Sequence, residues 1–320
     1  MKISVIIPTY NRAAIITESI DSLCKQDLNS KEFEILIVDN NSKDETRSVV
    51  ETAITANKDH TIRYLFEPRQ GDFFARNRGA EEAAGKYVLF TDDDAFFDTN
   101  YLSTILGLFE RYPEVGAVGT RIDIKWEGGT PANWIKPYEY LLGAISHANK
   151  GYLITTSGLY INNGSLSIKR DLYIEVGGNN PGQIGDYLIG DAEGGLCRKL
   201  HQKGIAMAFT DDVAMHHRQF VGKNDTKADI KRRVENIGIS SAYTAVFVDK
   251  NPKPRTTLKD YVRYVFYSLT MRRRKALRAY FELRENKKFN EYIIRFREDE
   301  KIKKQIVETK YEWKNNRKIC

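Results

Sequence analysis

The chain reads Tyr87-Val88-Leu89-Phe90-Thr91-Asp92-Asp93-Asp94 near the end of its first hundred residues. The first four residues of this stretch are typical of a buried strand, and three consecutive carboxylates follow it. Adjacent like charges repel one another, and a hard divalent cation such as Mg²⁺ or Mn²⁺, which prefers carboxylate oxygens, would offset the repulsion. Ligands of open α/β sheets bind at the carboxyl ends of strands, where this cluster is expected. A solvated, Asp-rich turn explains the same residues equally well.

The composition is that of a globular chain. Its 320 residues, 41% of them hydrophobic and 11% aromatic, suffice for one large domain with an appendage or for two domains. The three cysteines (Cys24, Cys197 and Cys320) form no CxxC pair, which argues against a disulfide framework and a zinc site. The first residues do not resemble a signal peptide, and no apolar run approaches the roughly 20 residues that span a bilayer. We therefore expect a cytoplasmic location, free or at the inner face of the membrane.

Charge is unevenly spread along the chain. The net charge is +7, yet residues 251–320 hold 21 Lys and Arg against 9 Asp and Glu, a net +12 that leaves −5 for the rest. In this basic tail, aromatic residues interleave with Arg272-Arg273-Arg274-Lys275 at helical spacing. The pattern is typical of an amphipathic helix on an anionic membrane surface, although packing of its apolar face on the protein explains it as well. No nucleic-acid-binding fold is evident, so we expect no nucleic-acid partner.

The first half of the chain alternates predicted strands with predicted helices. Strands are predicted at Ile3–Pro8, Phe33–Val38, Thr61–Phe66 and Tyr87–Phe90, and helices at Asn11–Gln26, Asp44–Ala56 and Asp72–Ala84. This order predicts an α/β fold with a mostly parallel sheet flanked by helices. Right-handed crossovers then bring the polar strand ends to one edge.

The second half of the chain has a less regular pattern. A loop with two Trp residues is predicted at 126–134, and a helix is predicted from residue 190 to Leu200. A strand is predicted at Ile205–Phe209, with a turn at Asp211-Asp212. After Phe220 the chain is predicted to be helical and basic.

Five motifs occur in an order that resembles family 2 glycosyltransferases. They are Ser4-Val5-Ile6-Ile7-Pro8-Thr9-Tyr10-Asn11-Arg12, the run from Ile35 to Asp44, Gly71, Ala75-Arg76-Asn77-Arg78-Gly79 and the run from Phe90 to Asp94. The resemblance covers about Lys2 to Phe220. It implies a glycosyltransferase A fold, a Rossmann-like domain that binds a nucleotide sugar. We accordingly expect a catalytic domain at 1–222, with a nucleotide-binding part at 1–120 and an acceptor-binding part at 121–222, and a helical basic extension at 223–320.

The resemblance implies a donor-binding edge. Asp39 ends the second strand, where a carboxylate can accept the imide N–H of uracil, unless it only forms the turn that follows. Family members often carry Asp where this chain has Asn40, which leaves a generic nucleotide as the alternative to uridine. Arg76 could pair with a phosphate or with a carboxylate of the cluster, or be an ordinary surface arginine. The expected donor-binding residues are Pro8, Thr9, Tyr10, Arg12, Asp39, Asn41, Gly71, Arg76, Asp92 and Asp93.

The resemblance also implies a metal site. Asp92 and Asp94 match the outer positions of the family's D-x-D motif, so Asp94 is expected to bind Mn²⁺ or Mg²⁺ directly and Asp92 to contact ribose or a metal-bound water. Asp93 is expected to touch the donor sugar or to support the loop. Many family members have a histidine near the position of His216 and His217, either of which could complete the metal site. Adjacent residues of an extended chain point opposite ways, so one of the two is expected there, and the sequence does not say which.

An inverting transferase also needs a base that removes the proton of the acceptor hydroxyl. The resemblance implies a carboxylate about 100 residues after the cluster, at a helix start, where this chain has Asp191 and Glu193. The chain departs here from the family's usual Glu-Asp pair, so both residues are candidates, with Asp191 ranked first. Alternatively, both carboxylates stabilise the helix N-terminus by their charge.

The resemblance extends to the acceptor side. Asn163 and Gly164 match an acceptor-side segment of the family, and Trp126 and Trp134 could stack on an acceptor sugar, although Trp more often packs in a core. We expect metal-dependent, inverting transfer from a nucleoside diphosphate sugar, with a UDP-sugar as the expected donor. The expected acceptor is a glycan or lipid-linked glycan in surface polysaccharide, O-antigen or capsule assembly.

Two other functions stay open. One is a non-catalytic, membrane-associated protein that binds nucleotide sugars, because the segment around Asp191 and Glu193 is unusual for the family. The other is a nucleotidyltransferase, although that class needs a Gly-rich loop after the first strand and this chain has Pro8-Thr9-Tyr10-Asn11-Arg12 there. A dinucleotide dehydrogenase is disfavoured because no GxGxxG follows the first strand.

Overall fold

The computed structural model describes residues 1–147, 152–184 and 187–305 and confirms the predicted α/β class; Cys320 lies outside these residues. The strands are β1 (Ile3–Thr9), β2 (Phe33–Asp39), β3 (Thr61–Phe66), β4 (Tyr87–Phe90), β5 (Ala95–Phe97), β6 (Val115–Glu127), β7 (Tyr152–Thr155), β8 (Ser167–Lys169), β9 (Gln183–Ile184), β10 (Tyr187–Leu188) and β11 (Ala206–Phe220). The α-helices are α1 (Ile16–Cys24), α2 (Thr46–Ala56), α3 (Asp72–Glu82), α4 (Tyr101–Arg111), α5 (Arg170–Glu175), α6 (Ala192–Gln202), α7 (Lys227–Tyr243), α8 (Leu258–Leu269) and α9 (Arg273–Glu298). A 3₁₀ helix spans Lys136–Leu142, and a π-helical turn spans Thr244–Val248.

Nine of the described strands form one sheet. Its order is β3-β2-β1-β4-β8-β6-β11-β5, and β7 pairs with β11. The first four strands of this order are parallel, whereas β8 is antiparallel to both β4 and β6. β11 is antiparallel to β5 and to β7. The predicted parallel half is confirmed, and its strands β1, β2 and β4 are buried and mostly apolar because helices cover both faces.

Alternate residues of β1 enter two different hydrophobic cores. Ile3, Val5 and Ile7 belong to a core that includes residues of α1, α2 and α4. Ile6 belongs to a second core with residues of α3 and α6. The second contact is close, because a Cβ atom on Gly79 of α3 would lie 2.4 Å from Ile6 Cγ2, so glycine is required there. The sheet is thus fixed between two helical layers.

The first helix begins at Ile16, later than the predicted start at Asn11. Asn11 adopts φ +53°, and its Oδ1 atom accepts a 2.7 Å hydrogen bond from the Lys43 N–H. The Arg12 N–H donates to Thr46 Oγ1 at 2.9 Å. These bonds hold the residues after β1 as a loop against the loop after β2, at the edge where a ligand is expected.

The predicted turn at Asp211-Asp212 is wrong, because β11 runs unbroken from Ala206 to Phe220. The strand is paired with β7 over Met207–Thr210 and with β5 over Met215–His217. Pairing with distant strands thus outweighs the local turn preference of the two Asp residues. Trp126 likewise lies within a strand, since β6 continues to Glu127.

Contacts divide the chain into two compact units. The first comprises Met1–Glu127, Leu142–Asn180 and Ala192–Gln219 and contains the large sheet. The second comprises Gly128–Leu141, Pro181–Asp191 and Phe220–Cys320. The functional boundaries expected at residues 120 and 222 stay predictions.

The second unit is mainly helical, as predicted for the residues after Phe220. Its core contains Tyr243 of α7 together with Phe289, Ile293 and Phe296 of α9. α7 and α9 pack closely, because a Cβ atom on Gly238 would lie 2.4 Å from the Glu285 carbonyl oxygen. Among the described residues, no helix combines the length and the apolar character needed to cross a bilayer.

Candidate active site

The carboxyl ends of β1, β2 and β4 meet at one edge of the sheet. Thr9 pairs with Asp39 across β1 and β2, and Ile6 pairs with Phe90 across β1 and β4. The acidic run that follows β4 therefore lies beside the end of β1. Thr9 Oγ1 donates a 2.8 Å hydrogen bond to Asp93 Oδ2, which joins the two segments directly.

Asp93 is buried beneath this edge. Arg12 Nε lies 3.3 Å from Asp93 Oδ1, and Ser19 Oγ donates to the Asp93 carbonyl oxygen at 2.8 Å. Burial raises the pKa of Asp93 to about 7; Arg12 opposes this shift, whereas the charge of Asp94 adds to it. Through these contacts Asp93 holds the loop that follows β4.

Arg76 connects the acidic run to helix α3. Its guanidinium is buried and binds Asp92 Oδ1 at 2.6 Å and Asp72 Oδ2 at 2.9 Å. It also donates to the carbonyl oxygens of Thr91, at 3.1 Å, and of Asn163, at 3.4 Å. Burial opposes the charge, but Asp72 and Asp92 outweigh it and raise the pKa of Arg76 above its ordinary value. Arg76 thus pairs with the cluster and is not a surface arginine.

Asp92, Asp94 and His217 form a possible metal site. One ligand atom from each residue lies within 4.8 Å of the other two. His217 Nε2 lies 3.2 Å from Asp94 Oδ1, and His217 Nδ1 lies 2.8 Å from the Leu142 carbonyl oxygen. Burial opposes protonation of His217, yet Asp94 outweighs it and raises the pKa of the ring to about 8. Burial also opposes ionisation of Asp94, but His217 lowers the pKa of that carboxyl below its ordinary value.

His216 points away from this cluster. Its Nε2 atom lies 2.9 Å from Asp98 Oδ1, and the Ala214 N–H donates to Asp98 Oδ2 at 2.8 Å. His216 pairs with Phe96 and His217 with Ala95, so the register of β11 against β5 decides which ring meets Asp94. The structure therefore brings His217, and not His216, to the acidic run.

The loops after β2 and β3 are tied together beside Asp39. Asp39 Oδ1 accepts from the Ser42 N–H at 2.9 Å, and Asp39 Oδ2 accepts from the Tyr64 hydroxyl at 2.7 Å. The side-chain amide of Asn40 donates to the carbonyl oxygen of Arg69 at 2.6 Å. Asn40 Oδ1 accepts from the Gly71 N–H at 2.7 Å. Asp39 thus forms the predicted turn while its carboxylate stays at the strand end.

The remaining residues that are expected to bind the donor lie around this edge. Pro8 is buried within β1, whereas Tyr10 after the strand is 45% exposed. Asn41 adopts φ +68° and accepts a hydrogen bond from Lys43 Nζ at 2.7 Å. Gly71 precedes α3 with φ +145°, a conformation that favours glycine.

Glu193 is linked to the acidic run through Asn163. Tyr160 donates its hydroxyl hydrogen to Glu193 Oε1 at 2.7 Å, and Asn163 Nδ2 lies 3.4 Å from Glu193 Oε2. Burial raises the pKa of Glu193, although the hydrogen bond from Tyr160 opposes that shift. Asp191 is buried and belongs to the second compact unit.

The predicted acceptor residues do not all lie together. Gly164 is next to the cluster, because a Cβ atom there would lie 3.0 Å from Asp92 Oδ2. Trp126 is a half-buried residue of β6 in the first unit. Trp134 belongs to the second unit, where its ring centroid lies 6.0 Å from that of Tyr138.

Sequence reasoning missed three partners of the site, namely Asp72, Tyr160 and the Leu142 carbonyl. The pairing of Asp72 with Arg76 could have been predicted from the sequence, because residues four apart on a helix lie on the same face. Tyr160 and Leu142 meet their partners through contacts distant in sequence, so no local pattern indicated them.

Comparison with known proteins agrees with this geometry. The model of Glycosyl transferase family 2 matches residues 4–164, half of the chain. The glucosyl-dolichyl phosphate glucuronosyltransferase of Haloferax volcanii is 25% identical over 225 residues, 69% of this chain and 70% of that protein. The GalNAc(5)-diNAcBac-PP-undecaprenol beta-1,3-glucosyltransferase of Campylobacter jejuni is 37% identical over 107 residues, so the match spans 33% of each chain.

Solved structures share the fold. A mannosyltransferase of Pyrobaculum calidifontis in complex with GDP-Man and Mn²⁺ superposes with a TM-score of 0.57 at 23% identity, over 90% of this chain and 72% of that one. The predicted glycosyltransferase A fold is thereby confirmed. The ordered motifs, the sheet edge that they form and the family match lead to one assignment. The chain belongs to glycosyl transferase family 2.

Proposed function

We propose that the protein is a metal-dependent, inverting glycosyltransferase. It moves a sugar from a nucleoside diphosphate sugar, with UDP as the expected nucleotide, to a lipid-linked glycan. The observation that carries this proposal is the convergence of Asp92, Asp94 and His217 beside the strand ends that hold Thr9 and Asp39. Family membership supports the transferase class, and the cluster supports a diphosphate donor.

The chemistry of the cluster fits a divalent cation. Asp94 Oδ1 is buried and accepts no aligned hydrogen bond within the described structure, so it is available as a ligand. Two carboxylates and one imidazole are ligands that Mn²⁺ accepts, and carboxylates also suit Mg²⁺. Asp94 and His217 would hold the ion, and Asp92 would hold it directly or through water. When bound, the ion supplies Lewis-acid stabilisation of the leaving diphosphate.

The nucleotide would lie at the ends of β1 and β2. Each carboxylate oxygen of Asp39 accepts one described hydrogen bond, and a carboxylate oxygen has capacity for two. One free lone pair can therefore accept the imide N–H of uracil. Tyr10, exposed at the end of β1, offers an aromatic face to the same ligand.

We assign the general base to Glu193 ahead of Asp191. Glu193 is joined to the donor side through Asn163, which also contacts Arg76. A raised pKa suits a base, because proton transfer to it is then more favourable. The acceptor oxygen attacks the anomeric carbon as the bond to the diphosphate breaks, and the hydroxyl proton passes to the Glu193 carboxylate. Attack opposite the leaving group inverts the anomeric carbon.

The acceptor is proposed to be carried on a membrane lipid. Two relatives are named for dolichyl phosphate and undecaprenol substrates, which supports this acceptor class. In the second unit, α8 exposes Val262, Phe266 and Leu269 to solvent. Arg272-Arg273-Arg274-Lys275 follow that face, a combination suited to an anionic membrane surface. We therefore propose a peripheral location at the inner face of the cytoplasmic membrane, in surface polysaccharide assembly such as O-antigen or capsule.

Calorimetric titration of UDP in the presence of Mn²⁺ and then of EDTA tests the donor half of the proposal. Binding should require the metal and should be lost in Asp94→Asn. The matched control is Asp171→Asn, which removes the same charge from a side chain that is 97% exposed. Metal-independent binding would contradict the proposed metal site, and failure of UDP, GDP and dTDP alike would contradict a nucleotide-sugar donor.

An assay of donor turnover tests the catalytic half of the proposal. With a panel of nucleotide sugars and Mn²⁺, the protein should hydrolyse at least one donor slowly in the absence of acceptor. Nucleotide binding without turnover of any donor would favour the non-catalytic alternative.

A further inference from the structure

A cavity of about 560 Å³ lies within the second unit, lined by residues of α7, α8 and α9. We call it the C-terminal cavity. Its aromatic lining is Tyr264, Tyr267 and Tyr280, and the rings of Tyr264 and Tyr280 lie 5.8 Å apart. Met271 and Leu277 add apolar surface. The volume lies within the range of small-molecule sites, roughly 300–1,000 Å³.

The charged residues that line the C-terminal cavity are all cationic. Lys227, Lys231 and Arg273 line it, and none of the described lining residues is a carboxylate. Lys231 Nζ lies 4.0 Å from Glu235 Oε1, but Arg284 Nε binds the same oxygen at 2.6 Å. Lys231 is therefore only weakly held and keeps its donors for a ligand. Such a lining favours an anion with an apolar part.

The surroundings of the cavity indicate where the apolar part of the ligand goes. Met271 in the cavity wall is 77% exposed, and Leu269 at the end of α8 is 79% exposed. Phe266 of the same helix is 52% exposed, and its ring centroid lies 5.5 Å from that of Tyr267. Contiguous exposed apolar surface is costly in water and marks an interaction site. A free polar anion would leave this surface uncovered, whereas the hydrocarbon chain of a lipid would cover it.

We propose that the C-terminal cavity binds the phosphate and the first apolar segment of a membrane lipid. The three cations hold the phosphate by charge-assisted hydrogen bonds, and the tyrosines and Met271 contact the chain. A glycerophospholipid and a polyprenyl phosphate share this chemistry. Binding of a membrane lipid does not depend on the proposed function. Only the identification of that lipid as the carrier of the acceptor rests on it.

Vesicle co-sedimentation tests the proposal with three membranes. These are phosphatidylcholine alone, phosphatidylcholine with phosphatidylglycerol, and phosphatidylcholine with undecaprenyl phosphate. The protein should bind at least one of the two anionic membranes and should bind neutral vesicles weakly. Preference for undecaprenyl phosphate at equal surface charge assigns the cavity to the acceptor lipid, and equal binding to both assigns it to phospholipid. Equal binding to all three membranes would overturn the proposal.

Two sets of variants separate the cavity from general surface charge. Lys227→Gln, Lys231→Gln and Arg273→Gln combined remove three cavity cations. Lys259→Gln, Arg274→Gln and Lys287→Gln combined remove three exposed cations of the same unit that do not line the cavity. The cavity variant should lose about tenfold more affinity for anionic vesicles than the control, because its cations contact phosphate directly. Equal losses would overturn the proposal.

A filling variant tests the shape of the site without changing charge. Ala228 is an exposed lining residue, so Ala228→Trp should fold and obstruct the cavity, and lipid binding should fall by about tenfold. Unchanged binding would count against the cavity. Metal-dependent UDP binding, measured in parallel, should be the same in all these variants. Absence of metal-dependent UDP binding in the unmodified protein would contradict the proposed function. The proposal of lipid binding would then be judged from the vesicle experiments alone.

Discussion

His217 donates a hydrogen bond from Nδ1 to the carbonyl oxygen of Leu142 across 2.8 Å. A carbonyl oxygen can only accept, so Nδ1 carries a hydrogen in either charge state of the ring; Nε2 presents a lone pair once the second proton, which Asp94 favours, has left. Nε2 is the atom that lies 3.2 Å from Asp94 Oδ1. The main chain at Leu142 therefore fixes the tautomer that a metal ligand needs, as carbonyl partners of ligating histidines commonly do.

The two adjacent histidines should respond differently to mutation. His217→Gln should weaken Mn²⁺-dependent UDP binding by about tenfold to 100-fold, because it disturbs the ligand that Leu142 orients. His216→Gln should keep metal-dependent binding and lose about 1 kcal/mol of unfolding free energy, since it breaks the hydrogen bond to Asp98. Calorimetry and urea denaturation of both variants check this. Equal losses of metal-dependent binding would contradict the assignment of His217.

Gly164 should tolerate no side chain. A Cβ atom there would lie 2.6 Å from Met215 Cε and 3.0 Å from Asp92 Oδ2, so Gly164→Ala should displace the Asp92 carboxylate and weaken metal-dependent UDP binding. The matched control is Gly107→Ala in α4, where a Cβ atom meets no described atom within 4 Å. That variant should keep UDP binding and gain about 0.5–1 kcal/mol of stability from better helix propensity. Unaltered UDP binding in Gly164→Ala would show that Asp92 need not stay in place.

Transfer activity should depend on pH through Glu193. The groups that influence its pKa are Tyr160, Arg76 and Asp72, and burial has the largest effect, raising the pKa above the ordinary 4.5. A general base acts when deprotonated, so kcat/KM should rise with pH through this raised value and level off above it. Tyr160→Phe removes the hydrogen bond that stabilises the carboxylate and should move the rise to higher pH.

The pH profiles of two further variants complete this test. Glu193→Gln should abolish the rise together with most of the transfer, while Mn²⁺-dependent UDP binding persists. If Asp191→Asn, and not Glu193→Gln, removes transfer, then the base is Asp191.

Arg76 should matter to stability more than an exposed arginine does. Arg76→Met removes the buried partner of Asp92 and the donor to the Thr91 carbonyl, and it should cost about 1–3 kcal/mol of unfolding free energy. Arg47→Met removes an arginine of α2 that is 69% exposed and pairs with Glu51, and it should cost much less, because water screens an exposed ion pair. Urea denaturation measures both. Similar costs would contradict a structural role for the buried guanidinium.

The parallel half of the sheet could be predicted from sequence because its strands are short apolar runs between helices. Thr61–Phe66 and Tyr87–Phe90 were predicted with the bounds that the structure shows. β6 and β11 could not be predicted to their full length. Each carries charged residues, such as Asp123 and Asp212, and each is held by pairing with strands distant in sequence.

The acidic run and its position at the strand ends could also be predicted from sequence. The choice between His216 and His217 could not, because it depends on the register of β11 against β5. Glu193 contacts Tyr160 and is linked to Arg76 through Asn163, and these partners are distant from it in sequence. Local patterns locate ligands at strand ends, whereas partners that orient them come from tertiary contacts.

The hydrogen bonds of Asn40 make the chemical ageing of the protein relevant to the proposed nucleotide site. Its amide donates to the Arg69 carbonyl and accepts from the Gly71 N–H, so the loop between β3 and α3 needs both halves of the amide. Hydrolysis of that amide to a carboxylate would replace the donor with an acceptor that faces the Arg69 carbonyl. A preparation that deamidates at this one position during storage would therefore lose the hydrogen bond from Asn40 to the Arg69 carbonyl, beside Asp39, without any change in its gene.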